Sequence, residues 1–413
     1  MTESTIDVAG TDQGDVRAPG REPVERRGWR HFVKSVVRAA AWALCIALMY
    51  ELLVAVHYPL RDADSNLYEM IAASLERRPW VEWLAPMWPP GKPKSGLFVE
   101  HLPFFFWPTA ALGRMGFARA ALLANLLYFL AGLYLLFLIA RRLVRAEGAW
   151  LAVALYAISP LGIQYLARAN HENAWAVGFL GALYCMRDPL RRARSIGFVA
   201  FAAFAFLIKG VLALALFPVL GLWWWWSSRR RGDLLWFAAA LAAIGLLSLG
   251  YEWAYRRLTG ESFFANYVLA QMTYVHRDEG IGLVRKLINP VYYAANILWF
   301  ALPSSLLAIY AAYRTRRSKR PPTDAQALAY LGCGSHVALA LPISRRAARY
   351  IFPAYALIHL PAAQFICDQA PALGDWLLRN EEYLPYALML LLMLVLVARV
   401  AVDLHLYHFV QVF

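Results

Sequence analysis

A chain of 413 residues has the length of two or three soluble domains, but 61% of it is hydrophobic and only 16% is charged, against about 25% charged in an ordinary soluble protein. That composition excludes a soluble multidomain enzyme. The net charge of +14, from 41 Lys and Arg against 27 Asp and Glu, sits in short clusters between apolar runs. Such clusters set membrane topology, and they argue against a nucleic-acid partner.

Residues 1–35 are polar, mix Gly, Pro and charges of both signs, and lack the apolar stretch of a cleavable signal peptide. They read as a disordered cytoplasmic tail. From Val36 to Val402 apolar runs recur, and a helix needs roughly 20 residues to cross the hydrocarbon core. The chain therefore reads as an all-α, polytopic integral membrane protein, with residues 36–413 as its transmembrane domain. Arg26, Arg27, Arg30 and Lys34 precede the first run and hold its start in the cytoplasm. A short apolar piece at 102–113 is broken by Pro103 and Pro108. If it crossed, the clusters around Arg141, Arg191, Arg230 and Arg316 would all lie outside, against the positive-inside bias. Laid along the outer face instead, it puts all four in the cytoplasm. This topology gives about 11 crossings, near 36–56, 119–140, 148–166, 173–186, 195–208, 211–226, 233–253, 290–313, 324–342, 350–368 and 383–402. External loops then cover 57–118, which carries juxtamembrane helices, and 254–289. Cys45, Cys185, Cys333 and Cys367 fall inside apolar segments without metal-ligand spacing and read as core residues.

Five polar groups interrupt this pattern. Asp62, Asp64 and Tyr68 stand in the outer loop just before a helical-looking segment, Glu69 to Arg77. Two carboxylates there suit a general base or a metal site, and equally a helix cap. Glu100 and His101 precede the aromatic stretch Phe104 to Trp107, where they either face a polar cavity or mark re-entry into the interface. Arg168, His171, Glu172 and Asn173 crowd a turn between two apolar helices. Lys209 stands inside mostly apolar sequence and must snorkel or meet an anion. Arg345, Arg346 and Arg349, before Tyr350, form an external Arg cluster suited to grip a phosphate through paired donors.

In this order the segments resemble the membrane glycosyltransferases of the C-type superfamily that use polyprenyl-phosphate sugars, such as the lipid A aminoarabinose transferases and protein O-mannosyltransferases. Asp64, Tyr68, Ile71 and Ala72 match the start of the family's first external loop, with Ser65 where members often carry Glu. Glu100, His101, Leu102, Pro103 and Trp107 resemble its Glu-Lys-Pro-Pro-aromatic stretch, with His101 in place of Lys. Ala167 and Arg168 resemble its Ala-Arg turn, Asn173 standing at the Asp position beside Glu172. The segments at Lys209–Gly210 and Arg349–Pro353 resemble its Leu-Thr-Lys-Gly and Arg-Tyr-x-x-Pro segments.

The resemblance implies an enzyme, a glycosyltransferase that moves a sugar from a polyprenyl-phosphate carrier to a glycan, lipid or protein acceptor, by an inverting single displacement. It implies a site on the external face of the bacterial cytoplasmic membrane. Asp64, Asp62, Glu100 and Glu172 are then the catalytic carboxylates. Lys209, Arg345, Arg346, Arg349 and His101 meet the donor phosphate, and Tyr68, Arg168, Asn173 and Tyr350 line the substrate cavity. No cofactor is required, although Asp62 and Asp64 can hold a divalent metal weakly. The alternatives are a secondary transporter of a lipid-linked or small anionic substrate and a non-catalytic, lipid-binding membrane subunit.

Overall fold

The computed structural model describes residues 24–55, 63–90, 96–186, 192–227, 231–276, 282–341 and 347–412. It divides into two units, Met1–Leu48 and Met49–Phe413. The described part of the first unit belongs to helix α1 (Val24–Ala55).

After α1 come α2 (Ala63–Glu76) and a 3-10 turn at Trp80–Leu84. A second 3-10 turn, Pro103–Phe105, leads into α3 (Phe106–Arg114). The next helices are α4 (Ala120–Leu143), α5 (Ala146–Ile158), α6 (Pro160–Leu166), α7 (Glu172–Met186) and α8 (Arg192–Lys209). A 3-10 turn at Gly210–Ala215 carries α8 into α9 (Leu216–Ser227). Then follow α10 (Arg231–Thr259), α11 (Phe263–His276), α12 (Gly282–Phe300), α13 (Ser304–Arg317) and α14 (Asp324–Ala340). A 3-10 turn at Ala348–Ile351 precedes α15 (Phe352–Gln369), α16 (Pro371–Arg379) and α17 (Leu384–Val412). Among the described residues the β structure is one isolated antiparallel bridge, Met87 to Leu97.

Helix α15 is the axis of the bundle, packed against α5, α7, α13 and α14. Phe352, Tyr355, Leu357 and Leu360 on it are fully buried. Apolar side chains gain little by leaving lipid for protein, so close backbone approach through small residues drives such packing. The α7–α8 pair shows this. A Cβ at Gly178 would meet Ala205 of α8 at 2.7 Å, and one at Gly181 would strike the Phe201 ring. By contrast, α10 and α17 turn large apolar side chains outward, among them Leu235, Leu246, Leu249, Leu390 and Leu394. A hydrocarbon solvent demands that surface.

Six described helices are long and apolar enough to cross a membrane, and two bent pairs bring the number to eight. The protein is a multi-span membrane protein. The eleven crossings expected from sequence differ from this in identifiable places. Residues 148–166 are split at Ser159–Pro160, where α5 and α6 bend by 68°. Pro160 opens the new helix and Ser159 Oγ caps it, accepting from Gly162 N at 3.1 Å. Residues 290–313 are split in the same way, with α12 and α13 bent by 107°. The two crossings expected at 195–208 and 211–226 form one candidate span, Ser195–Ser227. Helices α7 and α14, of 15 and 17 residues, are buried and short. Within 254–289 the described residues include the end of α10, which runs to Thr259, and α11. Helix α1 begins at Val24, inside the segment expected as a tail.

Among the described residues between α1 and α4 are short helices, as expected. At nine residues α3 is about 14 Å long and cannot cross. Indole N–H groups pin the segment: Trp83 Nε1 donates to Leu75 O at 2.7 Å and Trp107 Nε1 to Trp83 O at 3.0 Å. Tyr251 Oη on α10 donates to Leu84 O at 2.9 Å.

Candidate active site

Helices α7 and α8 run side by side in opposite directions, so the first residue of α7 meets the last of α8. Those residues are Glu172 and Lys209. A carboxylate at a helix N-terminus and an ammonium at a C-terminus each complement the helix dipole, and the glycine contacts described above bring the two ends together. Lys209 Nζ donates to Glu172 Oε1 at 3.0 Å, with side-chain exposures of 2% and 0%. Just beyond, Gly210 ends α8 with φ +59°, and a Cβ there would press into the Tyr267 hydroxyl. Tyr267 Oη accepts from Val211 N at 3.3 Å. Only glycine fits this stop.

Lys209 Nζ also bonds His171 Nε2. Toward a Lys209 ammonium, which has no lone pair, the imidazole nitrogen acts as acceptor in its neutral form. Burial first, and then the Lys209 charge, hold His171 well below the usual imidazole range. His101 packs beside it, with ring centroids 4.6 Å apart and the planes tilted by 53°. Burial, then His171 and Lys209, also hold His101 well below its usual range. His101 Nε2 shares a hydrogen bond of 3.1 Å with Tyr68 Oη, and the Tyr68 ring lies 5.3 Å from that of His171. Trp175 closes the back, 5.5 Å from Lys209 Nζ. Glu172 Oε2 is buried without a hydrogen-bond partner.

One helical turn before Tyr68, Asp64 in the first turn of α2 is ion-paired with Arg349 from the 3-10 turn before α15. This pair is partly open to solvent, with side-chain exposures of 38% for Asp64 and 21% for Arg349. Ser65 joins the first turn of α2 to the turn before α7. Its Oγ accepts from Ala169 N at 3.0 Å, and Ser65 is buried.

The structure therefore gathers Asp64, Tyr68, His101, Glu172, Lys209 and Arg349 from across the sequence. Glu100 adjoins His101 in the chain and is half-buried, and Tyr350 stands beside Arg349. Lys209 and Arg349 do not share a partner: one holds Glu172 and His171, the other Asp64. Asn173 turns away toward α4, donating to Asn125 Oδ1 at 2.8 Å and to Tyr165 O at 2.9 Å. The Arg168 guanidinium lies 5.1 Å from the centre of the Tyr165 ring. Asp62, Arg345 and Arg346 lie outside the described residues. Sequence reasoning left out His171, Ser65 and Trp175 as site residues. A His-Glu pair opening a helix in so apolar a chain was the visible signal for His171. Among the described residues no three His, Cys, Asp or Glu side chains group as a metal site.

Residues 101–251 match the family described as dolichyl-phosphate-mannose-protein mannosyltransferase. Two solved structures share the fold. ArnT from Cupriavidus metallidurans bound to undecaprenyl phosphate superposes with a TM-score of 0.60 at 17% identity, over 79% of this chain and 60% of that one. The apo state of the same protein gives 0.54 at 18% identity, over 80% and 60%. The chain thus spans about 60% of the length of the ArnT chains it matches. No curated protein matches it. The helical membrane fold and the glycosyltransferase resemblance read from the motifs are borne out by these likenesses.

Proposed function

We propose that this protein transfers a glycosyl group from a polyprenyl-phosphate-linked sugar to an envelope acceptor, at the external face of the bacterial cytoplasmic membrane. The observation that carries the reading is the partly exposed pair of a carboxylate and a guanidinium, Asp64 and Arg349, one helical turn from Tyr68, which bonds His101 beside a buried His, Lys and Glu cluster. The likeness to a lipid-phosphate-mannose transferase family and to ArnT supports a lipid-linked donor.

Transfer needs a base for the acceptor hydroxyl and a counter-charge for the departing phosphate. Asp64 takes the hydroxyl proton as the acceptor oxygen bonds to the anomeric carbon. The bond from that carbon to the phosphate oxygen breaks with its electron pair, and the lipid phosphate leaves as an anion. One displacement inverts the anomeric centre. Arg349 meets the phosphate, joined by Arg345 and Arg346, because a guanidinium offers paired donors to phosphate oxygens. Tyr68 and His101 line the inner wall. Lys209 acts as a positioning residue, since its Nζ is already committed to Glu172 and His171. The reading requires no metal.

The test is turnover of the full-length protein in proteoliposomes with a polyprenyl-phosphate sugar and envelope acceptor extracts, read by mass spectrometry. Asp64→Asn should bind donor and transfer nothing. Normal transfer by that variant would overturn the catalytic assignment. Sugar carried across the vesicle membrane without transfer would replace the enzyme with a transporter.

A further inference from the structure

The two ends of helix α15 lie beside different polar clusters. Its 18 residues rise about 27 Å, close to the hydrocarbon thickness of roughly 30 Å. Arg349 precedes its first turn, and its last turn borders a cavity of about 440 Å³. The cavity therefore lies toward the opposite membrane face from the candidate active site.

The walls of this cavity are preformed. Thr323 caps α14 in a capping box with Gln326. Thr323 Oγ1 also donates to Gln364 Oε1 on α15 at 2.7 Å, and Gln326 Nε2 to Thr315 Oγ1 on α13 at 3.0 Å. Arg314 Nη1 donates to Gln369 Oε1 at 2.8 Å, tying the end of α13 to the end of α15. The inner surface at Ala311, Pro361 and Phe365 is apolar, while Arg314 and Arg320 stand exposed in the lining. Arg316, Arg317 and Lys319 flank them, so five cations fall within seven residues. One carboxylate, Asp368, shares the wall.

An occupant must offer an anion to two guanidiniums, hydroxyls to an acid and amides, and an apolar chain to the inner surface. It must also sit at headgroup depth, where candidate span Ala348–Gln369 ends. We propose that this cavity is a binding site for the headgroup of an anionic, hydroxyl-bearing glycerophospholipid of the phosphatidylglycerol type. Its phosphate lies between Arg314 and Arg320, its glycerol hydroxyls face Asp368 and Gln364, and an acyl chain follows Phe365. The site is separate from the glycosyl-transfer chemistry and does not depend on it.

Native mass spectrometry of the full-length protein, released from micelles containing equal phosphatidylglycerol and phosphatidylcholine of matched chains, tests this. The wild type should retain phosphatidylglycerol in preference to phosphatidylcholine. Arg314→Gln with Arg320→Gln should lower that preference about tenfold, whereas Arg316→Gln with Arg317→Gln should keep it. Arg314→Lys, which retains charge, should keep part of it and guards against a folding artefact. An equal loss in the flanking variant would reduce the effect to general surface attraction and overturn the site. So would an unchanged preference in the lining variant. Displacement of phosphatidylglycerol by glycerol 3-phosphate would overturn the lipid assignment in favour of a soluble phosphate ligand.

Discussion

Two ion pairs lie in one candidate site under opposite conditions. Lys209 and Glu172 are shut off from solvent, at the ends of two helices locked by glycine contacts. Asp64 and Arg349 are partly open to solvent, the acid 38% exposed. A buried pair is costly to desolvate and costlier still to break, because the survivor is left charged and alone. A partly exposed pair is screened and contributes about 0–1 kcal/mol. The difference divides the site: the dry pair holds the turn that carries His171, while the wet pair, on the function proposed above, opens at little cost to accept a hydroxyl and a phosphate.

The largest expected effect tests the dry pair. Lys209→Met should cost about 3–5 kcal/mol of stability by stranding Glu172, and adding Glu172→Gln should recover much of it. Thermal unfolding in detergent of the single and double variants measures this. A harmless single variant, or a double variant no better than the single, would break the contrast.

Next is the joint between the regions. Ser65→Ala leaves Ala169 N without its buried acceptor, a loss of about 1–3 kcal/mol. It should also lower turnover by letting Asp64 drift, while Ser65→Thr should restore part of both. Wild-type stability and turnover for Ser65→Ala would detach Asp64 from the turn.

A smaller, graded effect comes from the imidazoles. His101 and His171 sit below the ordinary value of 6.5 in the folded protein, so below that pH the unfolded chain binds more protons. Linkage then makes stability rise with pH in that window. The protein should be equally stable above about pH 7 and lose stability progressively as pH falls below about 6.5. His171→Asn should flatten the slope. Unfolding temperatures that stay constant down to about pH 5 would remove the neutral-histidine description.

The smallest stability change belongs to the wet pair. Asp64→Asn should shift stability by less than about 1 kcal/mol while abolishing transfer. That separation, read by unfolding and turnover on the same preparation, sharpens the division between pillar and tool.

The hydropathy of the chain by itself determined a helical membrane protein, because burying backbone polar groups in lipid leaves few other solutions. It also marked Asp64, His101, Glu172, Lys209 and Arg349 as anomalous, since charge in so apolar a chain is expensive. Expense says that a partner must exist without saying which. Tertiary structure paired Lys209 with Glu172 across 37 residues and Asp64 with Arg349 across 285. Local pattern carries no record of such distances. The bends at Ser159–Pro160 and between α12 and α13, and the joining of α8 and α9 through a 3-10 turn into one candidate span, were hidden for a related reason. Hydropathy averages over a window, whereas a bend or a joint between helices depends on individual backbone dihedrals and on what packs against them.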